Sequence, residues 1–332
     1  MGTLKFDVII DGTSALAKIG ALYLKEKGLK VALLGDNRKI KWPASAHVAL
    51  NLSHLQMLSD VGINLSHTRF FDTIDVRMNH VPLIFSSSDI FYQNFGAIVE
   101  LEGLNKASTK AAAKIPQITG KDWDQQGDYL LCLKPHRFEN SPAAQLKHHV
   151  ATALIMATGW ESTTARQYFD NNEIFGILPT EKKNTFALIH CSAKKYDTSS
   201  LLKRLQKISA EVDSIDAFQD YQPIHSFHYD NYHHGRLIGC HNACHMVHPM
   251  AGFGLNMGLS DIRSLGYHSL NNLPDYASDR FTKNSQTIAI LQSLYQLYCD
   301  PGFRASIVDF SVSQINQTRL LKSFFMTQAQ SV

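Results

Sequence analysis

The chain has 332 residues, 44% of them hydrophobic and 18% charged, with a formal net charge of +3. That composition supports a large buried core, excludes a disordered or supercharged chain, and, with no dense Lys/Arg cluster, gives no basis for nucleic-acid binding. No apolar run approaches the roughly 18–20 residues needed to span a bilayer, and the short run at Val8-Ile9-Ile10 sits behind Asp7 as a strand does, not a leader segment.

Residues 5–10 read as a buried strand ended by Asp11-Gly12. Ser14 to Lys27 has helical periodicity (Leu16, Ile19, Leu22, Tyr23), Gly28 ends it, and Lys30 to Leu34 is a second short strand. Strand, glycine turn, helix and parallel strand make a βαβ unit, which predicts a Rossmann-like nucleotide-binding domain. Residues 46–60 are predicted helical, 69–93 alternate as strands do, and 105–128 read as polar surface loop or helix. Val150 to Met156 is a buried strand leading into Ala157-Thr158-Gly159. Ile174–Leu178 and Thr185–His190 form a predicted hairpin around Glu181-Lys182-Lys183-Asn184. Helices are expected at 201–212, 254–265 and 286–298.

The most informative stretch runs from Arg236 to Asp261, where a strand end leads into a polar turn, His248-Pro249 interrupts it, and Gly252 and Gly254 open a helix. A glycine-rich helix N-terminus presents bare N–H groups to an anion or an electron-rich ring. Here the chain resembles the FAD-dependent aromatic hydroxylases of ubiquinone biosynthesis, which have the para-hydroxybenzoate hydroxylase fold. Their pattern Gly-Asp-Ala-Ala-His-x-x-His-Pro-x-Ala-Gly-Gln-Gly-x-Asn-x-Gly-x-x-Asp is met at Ala243, His245, His248, Pro249, Ala251, Gly252, Gly254, Asn256, Gly258 and Asp261. Ala46 to Asn51, with Leu58 to Gly62, resembles the family's segment beside the flavin ring. Ala157-Thr158-Gly159 with Ser162 and Arg166 resembles its Ala-Asp-Gly-Ala-Asn-Ser motif.

The resemblance implies an α/β fold, with a Rossmann-like FAD/NAD(P)-binding domain (1–70, 95–166 and 234–285) interleaved with a smaller β-sheet substrate domain (71–94 and 167–233). A helical C-terminus would cover 286–332. It implies FAD held by Gly12, Thr13, Ser14, Asp36, His47, Asn242, Pro249, Gly252, Phe253, Gly254, Leu255 and Asn256, with NAD(P)H as reductant. The substrate would be a lipophilic aromatic quinone precursor and the partners other ubiquinone-biosynthesis proteins. With five irregularly spaced cysteines, the setting would be reducing and cytoplasmic, in peripheral contact with the inner face of a membrane.

The sequence also departs from the pattern. Ser14 stands at the second glycine of Gly-x-Gly-x-x-Gly, where the backbone must approach the pyrophosphate, and Asp11 puts a carboxylate beside it. The strand-end acid falls at Gly35, with Asp36 one residue late. His241-Asn242 replaces Gly-Asp, Thr158 an aspartate, His47 an arginine and Phe253 a glutamine. Three readings therefore stand: a flavin hydroxylase, a flavin-free scaffold or accessory protein on the same fold, and a reductase or dehydrogenase on that fold. His47 is the one candidate for a catalytic group, as a proton shuttle. Cys240, His241, Cys244, His245 and His248 have spacings that can bind zinc, but the family itself supplies His245 and His248, so no metal is expected.

Overall fold

The computed structural model describes residues 5–35, 41–78, 81–119, 123–134, 144–249 and 252–299. In chain order the first elements are β1 (Phe6–Asp11), α1 (Ala15–Glu26), β2 (Val31–Leu34), β3 (His47–Asn51), α2 (Leu52–Asp60), β4 (Thr68–Phe71), β5 (Thr73–Met78) and β6 (Val81–Ser86). Then come β7 (Gly96–Glu100), α3 (Leu101–Ala111), β8 (Gln117–Ile118), α4 (Trp123–Gln126), β9 (Gly127–Cys132), β10 (Ala144–Ala157), β11 (Thr164–Asp170), β12 (Glu173–Pro179) and β13 (Thr185–Ser192). The last are α5 (Thr198–Ile208), β14 (Val212–His228), β15 (His233–His234), β16 (Leu237–Gly239), β17 (His245–Met246), α6 (Phe253–His268) and α7 (Leu273–Cys299).

Three sheets organise these elements. The first has the order β15-β16-β9-β1-β2-β8, with β1 parallel to both β2 and β9. Its centre is buried on both faces (Val8, Ile9, Ile10, Leu130, Leu131), as a parallel sheet covered by helices requires. Helix α1 packs on it and against α6 at Gly20, where a Cβ would stand 3.0 Å from Ile262. The second sheet has the order β17-β14-β10-β13-β12-β11-β5-β6 and is antiparallel apart from β11 beside β5. The third, β3-β7-β4, lies antiparallel and depends on Gly96, whose Cβ would fall 2.0 Å from the Leu50 carbonyl oxygen. The fold is thus α/β, a Rossmann-like sheet joined to a larger β-sheet layer with a helical C-terminal region.

Four sequence expectations need correction. Residues 46–60 are not one helix: Val48, Ala49 and Leu50 pair with Val99, Ile98 and Ala97 as a strand, and α2 starts only after Asn51 caps it. Segment 105–128 ends in strand β9, beside β1 in the first sheet. The span 95–166 does not stay with the nucleotide-type sheet, because β10 pairs with β13 and β14, and β11 with β12 and β5. Finally, α7 is continuous from Leu273 to Cys299, so 286 is no structural boundary. Residues 300–332 lie outside the described residues.

Candidate functional site

The turn between β1 and α1 opens a helix toward empty space. Gly12 has φ +131°, which disfavours any side chain, and a Cβ built on it would meet nothing within 4 Å. The Ser14 hydroxyl accepts the Ala17 N–H at 3.2 Å, capping α1. It is therefore turned back onto its own helix, and any crowding of the phosphate seat falls to its Cβ alone. Gly35 follows β2 with φ +143°, and a Cβ there would stand 3.5 Å from the Thr13 methyl, which places these two residues across the turn from one another. Asp11 is buried at the end of β1. Asp36 lies outside the described residues.

The Arg236–Asp261 stretch wraps around one buried carboxylate. Asp261 is 0% exposed and accepts from the His241 N–H (2.9 Å), His245 Nε2 (2.7 Å), Arg280 Nε (2.7 Å) and Asn284 Nδ2 (3.0 Å). Burial works against its charge, but His245, Arg280 and the His241 N–H outweigh that and hold it well below the usual carboxylate range. His241 has φ +54°, the left-handed region that suits the glycine of the family pattern. Its imidazole lies over Gly258, where a Cβ would stand 2.8 Å from Nδ1, and shares that space with Leu16 of α1. Burial pushes it down to about 4. Asn242 sits beside it in the same short turn.

A cavity of about 280 Å³ lies between the layers. Its walls are β3 (His47 to Asn51), the entrance of α6 (Pro249, Gly252, Phe253, Asn256), the second sheet (Ile74, Phe85, Ala165 to Gln167, Gly176, Leu178, Ile189), and Phe71 and Phe95. The His47 Nδ1 is buried in this wall with no hydrogen-bond partner among the described residues. Burial lowers the His47 pKa, partly offset by the Ser45 backbone and Glu100, so the ring is neutral at pH 7. Behind β3, His54 Nδ1 donates to Asn256 Oδ1 at 2.9 Å, the same oxygen that accepts the Asn51 N–H at 3.2 Å. Asn256 Nδ2 in turn donates to the Ala49 carbonyl at 2.8 Å, so one amide clamps the cavity strand to the start of α6. Burial takes His54 down to about 4 and keeps it neutral.

Of the sequence-predicted site residues, the structure brings His47, Pro249, Gly252, Phe253 and Asn256 into one cavity wall. Gly12, Thr13 and Ser14 form the separate β1–α1 turn, Leu255 packs into the core of the first sheet, and Gly254 faces open space. The Ala157-Thr158-Gly159 resemblance is not a cofactor motif. It is the turn between β10 and β11, with the Thr158 hydroxyl donating to Asp213 at 2.8 Å. A strand followed by a glycine turn looks the same locally in either sheet; pairing with β13 and β14 decides where it goes. Arg166 reaches the cavity from this sheet instead. Sequence reasoning missed His54 and the cavity-facing Phe71, Phe85 and Phe95; the β alternation of 69–93 signals the first two phenylalanines, and nothing local signals His54. The Cys240–His248 cluster disperses: Cys240 Sγ donates to the Gly258 carbonyl, Cys244 Sγ to the Asn231 carbonyl, and His248 stands edge-on to His148.

The residues present fit a flavin dinucleotide in two places. Above Gly12, and above Gly252 and Gly254, a Cβ would enter open space, which leaves room for a ligand to approach the backbone at two helix starts. The apolar cavity beside Gly252 suits a flat ring. The Asp11 carboxylate and the His241 side chain are the two features less suited to a pyrophosphate.

Comparison with known proteins agrees with this geometry. Residues 143–280 match the FAD binding domain family. The ubiquinone biosynthesis monooxygenase COQ6, mitochondrial, of Schizosaccharomyces pombe is 27% identical over 118 residues, 32% of this chain and 25% of that protein. The human protein of the same name is 38% identical over 74 residues, 19% of this chain and 15% of that protein. The chain thus matches about a quarter or less of the length of these curated relatives. Among solved structures, p-nitrophenol 4-monooxygenase PnpA from Pseudomonas putida DLL-E4 superposes with a TM-score of 0.78 at 12% identity, covering 98% of both chains. Klebsiella pneumoniae HpxO complexed with FAD and uric acid gives 0.76 at 12% identity, covering 98% of this chain and 97% of that one.

Proposed function

We propose that this chain, which resembles the FAD-dependent aromatic hydroxylases with the para-hydroxybenzoate hydroxylase fold, is a flavin monooxygenase of ubiquinone biosynthesis, hydroxylating the aromatic ring of a lipophilic quinone precursor. The observation that carries this reading is the apolar cavity between the start of α6 and the second sheet. When bound, FAD supplies the activation of dioxygen: one oxygen atom enters the ring, the other leaves as water, and NAD(P)H supplies two electrons. The protein's part is positional. Gly12 and the first turn of α1 would hold the pyrophosphate, and Gly252, Gly254 and Asn256 would hold the flavin. Phe71, Phe85, Phe95 and Leu178 would exclude water and hold the substrate ring. A lipophilic substrate would reach the cavity from a membrane face or from partner proteins of the same pathway.

The test is to purify the full chain, record its visible spectrum, and follow NAD(P)H oxidation together with ring hydroxylation of a simple phenol. Near-unit flavin with coupled product is the expected result. A colourless protein that added FAD neither colours nor stabilises against heat would overturn it. That outcome would favour the second reading, a flavin-free accessory protein, which draws its support from the imidazole of His241 over Gly258 and the carboxylate of Asp11 beside the phosphate turn.

A further inference from the structure

FAD has to reach from the β1–α1 turn to the start of α6, and one side chain stands between them. Strands β1, β9 and β16 run parallel, and Asp11, Cys132 and Gly239 end them on the same side of the first sheet. The turn holding His241 follows β16 directly, tied to β9 by the Cys240 N–H on the Cys132 carbonyl at 3.0 Å. It therefore lies at the carboxyl ends of the strands, where open parallel sheets take their ligands. From there the imidazole touches both helices. A Cβ on Gly258 of α6 would stand 2.8 Å from His241 Nδ1 and 3.0 Å from a Leu16 methyl of α1, so the three groups share one gap. The ring also hydrogen-bonds the Gly254 backbone in the first turn of α6. It holds this seat at a cost. His241 keeps φ +54°, a left-handed conformation that glycine adopts more easily, and its Nδ1 is buried with no hydrogen-bond partner among the described residues.

Resting on the reading of this chain as a flavoprotein, we propose that the His241 imidazole gates the cofactor path: it fills the gap between the starts of α1 and α6, and FAD docks only after the ring has left that gap. The His241 N–H on Asp261 anchors the turn, so rotation of the side chain alone opens the way. The fraction of molecules with the ring seated lowers the apparent affinity for FAD in proportion. His241 is in this account a residue that sets flavin affinity and capture rate, and it takes no part in the chemistry.

Two probes test the gate on the full chain: FAD, which must pass the gap, and lumiflavin, the flavin ring without its chain, which does not. Affinities are measured by flavin fluorescence and the rate of FAD association by stopped flow. His241→Gly suits the left-handed φ and keeps the N–H on Asp261. It should bind FAD about tenfold or more tightly than the unaltered chain, with lumiflavin unchanged. Association should level off with rising FAD in the unaltered chain, at the rate of ring displacement, and climb linearly in His241→Gly. His241→Asn, shorter than histidine and also tolerant of that φ, should give a smaller gain in FAD affinity. Equal FAD affinity in the unaltered chain and His241→Gly, or a matching gain for lumiflavin, overturns the gate while leaving a flavoprotein in place. If neither chain binds FAD, the flavin reading itself falls and the gate with it.

Discussion

The two halves of this molecule each bury a carboxylate among a histidine and an arginine, yet the two clusters are built for different work. In the nucleotide-type half Asp261 is completely enclosed and takes four donors from the 241 turn, β17 and α7. In the second sheet Glu173, at the start of β12, is 5% exposed and accepts from Arg204 Nε at 2.8 Å and from the Tyr196 hydroxyl, with His190 Nε2 at 3.8 Å. Arg204 has a second carboxylate in Asp170, whereas the Arg280 Nε points only at Asp261 in the hydrogen bonds it makes. The Asp261 cluster therefore has no spare partner and sits under the α6 entrance that walls the cavity. The Glu173 cluster latches α5 onto a sheet and can lose one member. Burial with irreplaceable partners, and not the residue types, separates a linchpin from a latch.

The largest test of that contrast is removal of each carboxylate. Asp261→Ala strands a buried arginine and should cost about 3–5 kcal/mol in chemical denaturation, with loss of FAD binding. Glu173→Ala leaves Arg204 with Asp170 and should cost about 1–3 kcal/mol, leaving FAD binding intact. Equal losses would break the distinction. The second test is pH. Glu173 is held down at about 2 against its ordinary 4.5, with burial opposing and His190, Tyr196 and Arg204 prevailing. Its stabilisation is present above pH 4.5 and is lost as pH falls through about 2. His54 in the first half is lowered by burial from 6.5 to about 4, so the unfolded chain takes up its proton first and stability falls as pH drops from 6.5 through 4. Denaturation at stepped pH should show His54→Gln flattening the upper window alone and Glu173→Gln the lower window alone. A single shared slope would count against two separately poised halves. The smallest effect is expected at the phosphate turn. Ser14→Ala loses the cap of α1 and should lower stability by about 1 kcal/mol in the same assay, without touching the cavity.

Legibility followed the range of the interactions involved. The β1–α1–β2 unit and the run from Ala243 to Asp261 could be read directly, because a glycine turn, an apolar strand and a helix start are local. The contents of the cavity could be read in part: His47, Pro249, Gly252, Phe253 and Asn256 were expected beside a ring. What was hidden depends on partners distant in the chain. Val48 to Leu50 become a strand only because β7 lies beside them. Thr158 becomes a turn residue of the second sheet only because β10 finds β13. His54 acquires its role from Asn256, 202 residues further on.

Phe253 belongs to two structures at once. It lines the cavity, and it also packs against the cluster of Val76, Leu83, Phe169 and Leu291 that holds the second sheet to α7. Trimming it to widen the cavity would loosen the seam between the layers, so that wall is closed to evolutionary drift in ligand size. Phe71 and Phe95 pack instead in a smaller cluster with Ile98 and Ala165. Adaptation to larger ligands, natural or engineered, has its open route there.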